Sequence, residues 1–270
     1  MFRDITIGQY INTFSRVHKM DPRIKILIVT LFMVTIFLLS SIFMYIPIIA
    51  FLILATYLSK LKPDYLLKGL KPLRFIIILT FVINVIFTPG EELFSVFIFS
   101  ITREGLLRAS FMAIRLVLLV VGTSILTLTT SPIELTGALE YIFSPLKRFG
   151  FPAHELAMMM TIALRFIPTL IEEADKIMKA QIARGADFES GNLIKKAKSM
   201  VPLLVPLFIN SLRRASDLAT AMESRCYHGG ENKTRLNELK VDKFDYGATL
   251  FSVFIFALVV MADKSLNFKF

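Results

Sequence analysis

The chain has 270 residues, of which 55% are hydrophobic and 19% charged, with 25 phenylalanines, no tryptophan and one cysteine. Soluble domains carry roughly 45–50% apolar and about 25% charged residues; here the apolar excess is gathered in long uncharged runs, which excludes an ordinary soluble domain and implies an integral membrane protein. Cys226 alone excludes a disulfide framework or thiolate cluster, His18, His154 and His228 sit at no metal-ligand spacing, and the net charge of +10 interleaves with acids and flanks apolar runs, as on a cytoplasmic membrane face rather than a nucleic-acid surface.

In chain order, the first residues carry Arg3, Asp4, Arg16 and Lys19 and no early apolar core, unlike a cleaved signal peptide. "DPRIK" (21–25) reads as a helix start, with Asp21 as cap, Pro22 in the first turn, and Arg23 and Lys25 anchoring a span at the inner interface. Residues 26–59 contain no charge. A crossing takes about 20 residues, so the stretch predicts two spans, about 24–41 and 42–59, joined by a tight turn near Ser40–Ser41. Lys60, Lys62, Lys68, Lys71 and Arg74 against Asp64 then mark a cytoplasmic loop. A third span follows over about 75–89. Leu93–Ile101 is too short to cross and rich in Phe, Val and Ile, so 90–104 is expected to be an extended or hairpin segment on the outer surface. A fourth span covers about 105–130; in it Arg115 is expected to face a protein neighbour, with Arg108 snorkelling outward and paired to Glu104. The last span lies at 245–263, inside a C-terminal segment 245–270. Five spans place the N-terminus inside and the C-terminus outside, which agrees with Lys147, Arg148, Lys240 and Lys243 near the span ends.

The region 131–244 is mostly polar and reads as cytoplasmic. "PTLIEEADKIMKAQIARG" (168–185) predicts a helix with Pro168 in its first turn, Leu170, Ile171, Ala174, Ile177 and Met178 on one face, and Gly185 as its stop. A second helix over about 201–226 places Val205, Phe208, Ile209, Leu212, Ala215, Ala219 and Met222 on one face. Glu172–Lys176, Asp175–Lys179 and Arg213–Asp217 are spaced as i,i+4 ion pairs. A shift of 41 residues lays Ala183, Arg184 and Gly185 on Ser224, Arg225 and Cys226. Each arginine sits at the negative end of a helix dipole among small side chains. Two readings fit: a helix cap worth roughly 0.3–1 kcal/mol, or a plug for a partner. Met158, Met159 and Met160 likewise read as ordinary core or as a compliant surface that repacks against several partners.

Four motifs in order, "HKMDPRIKIL" (18–27), "IALRFIPTL" (162–170), "QIARG" (181–185) and "MESRCY" (222–227), resemble the transmembrane T component of energy-coupling factor (ECF) transporters, the EcfT family, over essentially the whole chain. The resemblance implies an L-shaped, all-α polytopic membrane protein with about five transmembrane helices and long cytoplasmic amphipathic coupling helices. It implies a non-catalytic scaffold of an ABC-type importer for vitamins or other micronutrients, in which two ATPase subunits bind ATP and magnesium and a separate S component binds the substrate. Ala183, Arg184 and Gly185, and with a departure from the pattern Ser224, Arg225 and Cys226, then become the ATPase-coupling residues. Met158, Met159, Met160, Phe166, Pro168, Leu212, Ala215 and Ala219 become candidate S-component or scaffold contacts. No cofactor or metal is expected on this chain.

The alternative is the permease subunit of a conventional ABC transporter. That class docks its ATPase through a loop of the E-A-A-x-x-x-G type, and "EEADKIMKA" (172–180) lacks the glycine. A membrane-embedded enzyme would need titratable groups converging within the spans, and no phosphate-loop motif is present for hydrolysing ATP.

Overall fold

The computed structural model describes residues 10–11, 13–96, 99–188, 192–227, 229 and 239–266. Helices α1 (Arg16–Lys19), α2 (Pro22–Leu38), α3 (Tyr45–Ser59), α4 (Pro63–Leu70) and α5 (Arg74–Phe87) precede a two-stranded antiparallel hairpin, β1 (Glu92–Val96) and β2 (Phe99–Thr102). Helices α6 (Arg103–Thr129), α7 (Pro132–Phe143), α8 (Ala153–Ala183), α9 (Leu193–Glu223) and α10 (Lys243–Leu266) follow. The chain divides into two compact units, one of residues 8–135 and 238–270, the other of 1–7 and 136–237.

In the first unit, the long uncharged run breaks where expected: α2 stops at Leu38, and both carboxylate oxygens of Asp263 cap the turn, accepting from the Ser40 and Ser41 amides at 3.0 and 3.1 Å. The core gathers Phe32 and Ile36 of α2, Tyr45 and Ile48 of α3, Leu118 and Ile125 of α6, and Phe256 and Val259 of α10. In a bilayer, small residues at helix interfaces bring helices together, because lipid is as apolar as the core. Gly122 supplies one such contact: a Cβ there would lie 2.3 Å from Cε1 of Phe32. Gly105 and Ala109, one turn apart on α6, supply another; a Cβ on Gly105 would press on the Asn84 and Val85 carbonyls of α5. Outward, Phe37, Ile46, Ile53, Phe75, Leu250 and Phe254 are exposed, the surface that lipid would cover.

The 90–104 segment contains the expected hairpin, irregular between Glu92 and Phe94. Glu104 does not pair with Arg108. Its Oε2 instead accepts from the Glu91 amide at 2.8 Å, fastening the strand end to the start of α6, and this contact outcompetes a solvated pair with an exposed arginine.

Five helical stretches are long and apolar enough to cross a membrane: Ile42–Ser59, Pro63–Phe87, Arg103–Thr129, Ala153–Ala183 and Lys243–Ser265. The number agrees with the sequence reading, whereas the membership differs. The first expected span, α2, has 17 residues, about 25 Å of helix at 1.5 Å per residue. Helix α8 joins the set because 153–170 carries only Glu155 and Arg165 as full charges.

The second unit differs from expectation at Pro168, which stands inside α8 rather than in a first turn, and at α9, which begins at Leu193 rather than near 201 and contains Pro202 and Pro206. Proline in a helix removes one i→i−4 bond; here helix continues through Pro168 on both sides, so the helix start it was expected to mark is absent. None of the three i,i+4 pairs closes. Glu173 of α8 instead reaches α9, accepting from Arg214 Nη2 at 2.8 Å and from Asn210 Nδ2. A link between helices adds tertiary contact, whereas solvated pairs along one helix face are worth only tenths of a kcal/mol.

Candidate coupling tips and a buried cation clasp

Both long helices of the second unit end in the same backbone knot. At the end of α8, Gly185 N–H donates to Ile182 O and Ala186 N–H to Gln181 O, each at 2.9 Å. At the end of α9, Cys226 N–H donates to Glu223 O at 2.9 Å and Tyr227 N–H to Met222 O at 3.0 Å. Every donor and acceptor is displaced by 41 residues, so the sequence repeat is a structural one. This closure needs a left-handed residue past the last turn. Gly185 takes φ +85°, and Cys226 takes the same region at φ +55°. The sequence left the backbone at Cys226 in doubt; the cysteine is held in the glycine conformation, at a cost of about 1–2 kcal/mol for a residue with a Cβ.

Ala183, Arg184, Gly185, Ser224, Arg225 and Cys226 are all exposed, and neither arginine side chain has a hydrogen-bond or ion-pair partner among the described residues. The guanidinium groups therefore do not cap their own helices. Glu173 and Arg214, which bind each other where α8 meets α9, are themselves related by the 41-residue shift. Each tip arginine lies eleven residues past that contact, 173 to 184 and 214 to 225, or about 16 Å along its helix. The two arms thus present equal lengths beyond one shared node.

Of the remaining candidate residues, Leu212, Ala215 and Ala219 lie on an uncovered face of α9 with Val205, Phe208 and Ile209. The opposite side, through Leu203, Asn210 and Arg214, is the more enclosed one. Met159 is 53% exposed, Met158, Met160 and Phe166 are half-buried, and Pro168 is exposed. None of these is a sealed core position.

In the first unit three cations, Arg23, Lys25 and Arg115, are bound internally. Asp21 caps α2 as expected, accepting from the Arg23 amide at 2.9 Å, and grips the Arg23 guanidinium at 2.7–3.1 Å. Burial would raise the Asp21 carboxyl, and the hydrogen bonds and charge of Arg23 outweigh it, holding it below the usual carboxylate range. Arg23 Nη2 also donates to Leu239 O at 2.9 Å, and Asp245 Oδ2 accepts from the Asp21 and Asp242 amides, so 21–23 is clasped to the start of the last span. Lys25 is not an interface anchor. It is 5% exposed, and its Nζ donates to the carbonyls of His18 and Thr129 at 3.0 Å each, joining α1, α2 and the end of α6. Arg115 finds its neighbour within the chain: Nε donates to Tyr45 Oη at 3.2 Å, Nη2 to Leu39 O at 3.0 Å, and the guanidinium lies 4.7 Å from the Phe111 ring centre.

The family model described as cobalt transport protein, CbiQ, matches residues 14–236. The energy-coupling factor transporter transmembrane protein EcfT of Clostridium kluyveri is 53% identical over 264 residues, covering 97% of this chain and 98% of that protein. The EcfT protein of Thermosediminibacter oceani is 56% identical over 246 residues, 91% of this chain and 93% of its own, and that of Bacillus subtilis 44% over 240 residues, 88% and 91%. The chain belongs to the EcfT family. It is a membrane protein and a transmembrane component of an ECF transporter, as the four motifs implied.

Within this EcfT-family chain, sequence reading missed the node of Glu173, Asn210 and Arg214. The signal was present: 173 and 214 are repeat-related and opposite in charge, as two helices crossing at equivalent points require. The clasp of 21–23 carried a weaker signal, an acid, Asp245, at the start of the last span.

Proposed function

We propose that this chain is the scaffold and coupling subunit of an ECF-type importer for vitamins or other micronutrients. Two ABC-type ATPase subunits each receive one tip, Ala183–Gly185 or Ser224–Cys226. A separate S component, which carries the substrate site, packs on the exposed apolar face of α9 and the methionine-rich start of α8. ATP and magnesium belong to the ATPases, and this chain binds no cofactor of its own. The N-terminus and the coupling region lie in the cytoplasm and the C-terminus outside, as the basic loops indicate. The observation that carries the reading is the pair of identical knots, each presenting an unengaged arginine the same distance past one node. A duplicated and solvent-facing cation has no use within the chain, and it suits two equivalent acceptors.

Truncating a cation that enters an acidic or carbonyl-lined socket costs roughly 2–5 kcal/mol at an interface, whereas two linked tips retain avidity. Arg184→Ala and Arg225→Ala should each abolish substrate uptake while largely keeping the ATPases in a pull-down. The double variant should shed both ATPases and keep the S component. Uptake at the unmodified level by the double variant would refute the docking role.

A further inference from the structure

We propose that the first unit holds a built seat for one anionic phospholipid, with an acyl chain in a groove between α3 and α10 and the phosphate among four cations at its mouth. The groove is a cavity of about 380 Å³ lined almost entirely by apolar side chains, within the size range of ligand sites. Ala55 and Leu58 form one wall, Gly247 and Phe251 the other, and Phe32 and Gly122 the floor. The Phe51–Phe256 ring contact at 5.0 Å stops it at the end away from Lys60. Its length, from Phe51 to Leu58, is about 10 Å of helix, enough for part of an acyl chain. The space beside Gly247 is open, with nothing within 4 Å of where a Cβ would stand.

Leu58 also lines a second cavity, of about 790 Å³, whose ionisable walls are Arg16, Lys19, Lys60 and Lys62, with no acid among them. All four are exposed, and no carboxylate pairs with any of them among the described residues. The left-handed backbone of Lys60, φ +54°, ends α3 there and brings 60–62 beside α1. Lys25, the one cation among the described lining residues, already donates to two carbonyls and has the carboxylates of Glu134, Asp245 and Asp21 near it, unlike the four at the mouth. An apolar slot that shares the Leu58 wall with a cluster of uncompensated cations matches a phospholipid whose headgroup is anionic, on the side the positive-inside bias assigns to the cytoplasm. A protein helix seated there would need acids at its end to match the same mouth.

The chain has no tryptophan, so Phe251→Trp places the only indole at the groove wall. Leu250→Trp, on the neighbouring outward surface at 77% exposure, reports bulk lipid. The full chain is reconstituted in phosphatidylcholine vesicles with increasing phosphatidylglycerol or phosphatidylcholine brominated on the acyl chains, and quenching is read for both indoles. Phe251→Trp should be half-quenched at a roughly tenfold lower fraction of the phosphatidylglycerol, on the scale of several basic contacts, and Leu250→Trp should show no preference. Replacing Arg16, Lys19, Lys60 and Lys62 by Gln should abolish the preference. Gly247→Leu, or Ala55→Phe if that variant misfolds, should abolish selective quenching at 251. Equal quenching by both lipids, an equal preference at 250, or a preference that survives filling of the groove overturns the proposal. Absence of quenching at 251 by either lipid also overturns it and assigns the groove to a partner helix.

Discussion

Three cations of the first unit and two of the second are handled in opposite ways. In the first, Arg23, Lys25 and Arg115 are each saturated by partners within the chain: a carboxylate, backbone carbonyls, a tyrosine hydroxyl or an aromatic face. In the second, Arg184 and Arg225 are exposed and engage no partner among the described residues, while Arg214, between them in sequence, ties the two helices together. A cation whose hydrogen bonds are met inside the chain holds the fold. One left unmet at the end of a rigid arm is available to another molecule. The same residue type therefore has two readable meanings, and substitution separates them.

The sharpest contrast comes from Lys25→Met set beside Arg184→Ala. Losing the ammonium leaves the buried carbonyls of His18 and Thr129 without donors, about 1–3 kcal/mol for each unsatisfied group, partly offset because a buried charge disappears with it. Lys25→Met should lower the thermal midpoint in detergent by several degrees and cut uptake only through loss of folded protein. Arg184→Ala should leave the midpoint unchanged and remove uptake. If the tip variant melts early instead, Arg184 is structural and the contrast between the units collapses.

Next in size is the node. Glu173→Gln keeps a hydrogen bond to Asn210 but loses the charge that holds Arg214, which is 38% exposed at the side chain, so solvent screens much of the cost. The loss in stability should stay below about 1 kcal/mol. Its effect on transport should be larger, because the two arms no longer share a fixed crossing. A variant with full ATPase binding and reduced uptake would assign the node to transmission between the arms. Loss of ATPase binding would instead make it part of the docking surface.

Much of this was legible in the sequence, and the reasons for the rest are physical. The uncharged run of 26–59, the turn at Ser40–Ser41, the hairpin and the helix stop at Gly185 follow from local rules of hydropathy and turn chemistry, which operate within a few residues. Pro168 misled because a cap rule assumes that the lost hydrogen bond decides the matter, whereas helix continues through it. Lys25 misled for a similar reason. A basic residue at the end of a span normally snorkels to water, and only the fold brings the carbonyl of Thr129, 104 positions later, within 3.0 Å of it. The two tips close their helices at positions 41 residues apart, as the repeat implied, whereas the conformation at Cys226 depended on a bond to Met222 that sequence spacing does not fix.

The tips themselves differ by one residue, and exchanging it measures the strain. Cys226→Gly removes the Cβ penalty of the left-handed conformation, about 1 kcal/mol, with some return from the greater freedom of glycine in the unfolded chain. Gly185→Cys imposes the same penalty on the first tip. Hydrogen exchange at the Tyr227 amide should slow severalfold in Cys226→Gly, and exchange at the Ala186 amide should quicken by a similar factor in Gly185→Cys. Unchanged exchange in both would show that the knots are held by something other than their left-handed residue.

The smallest effect concerns a group of the first unit that the fold keeps neutral. His18 is buried, with Nδ1 2.7 Å from Ser15 Oγ and Nε2 3.1 Å from Thr13 Oγ1. Burial, and then the charge of Lys25, lower its pKa below the usual histidine value. The unfolded chain takes up that proton at a higher pH, near 6.5. The folded state therefore carries its full advantage above 6.5 and loses it as pH falls through the lowered folded value. Asp21 is displaced in the same direction, and its contribution is present above the free aspartate value of about 3.9 and lost as pH falls through the lowered folded value. Thermal midpoints of the chain should fall slightly between pH 7 and pH 5, and His18→Gln, which cannot titrate and can still hydrogen-bond, should flatten that slope at the cost of a lower midpoint at pH 7. A slope that persists unchanged in His18→Gln would place the titration on another group.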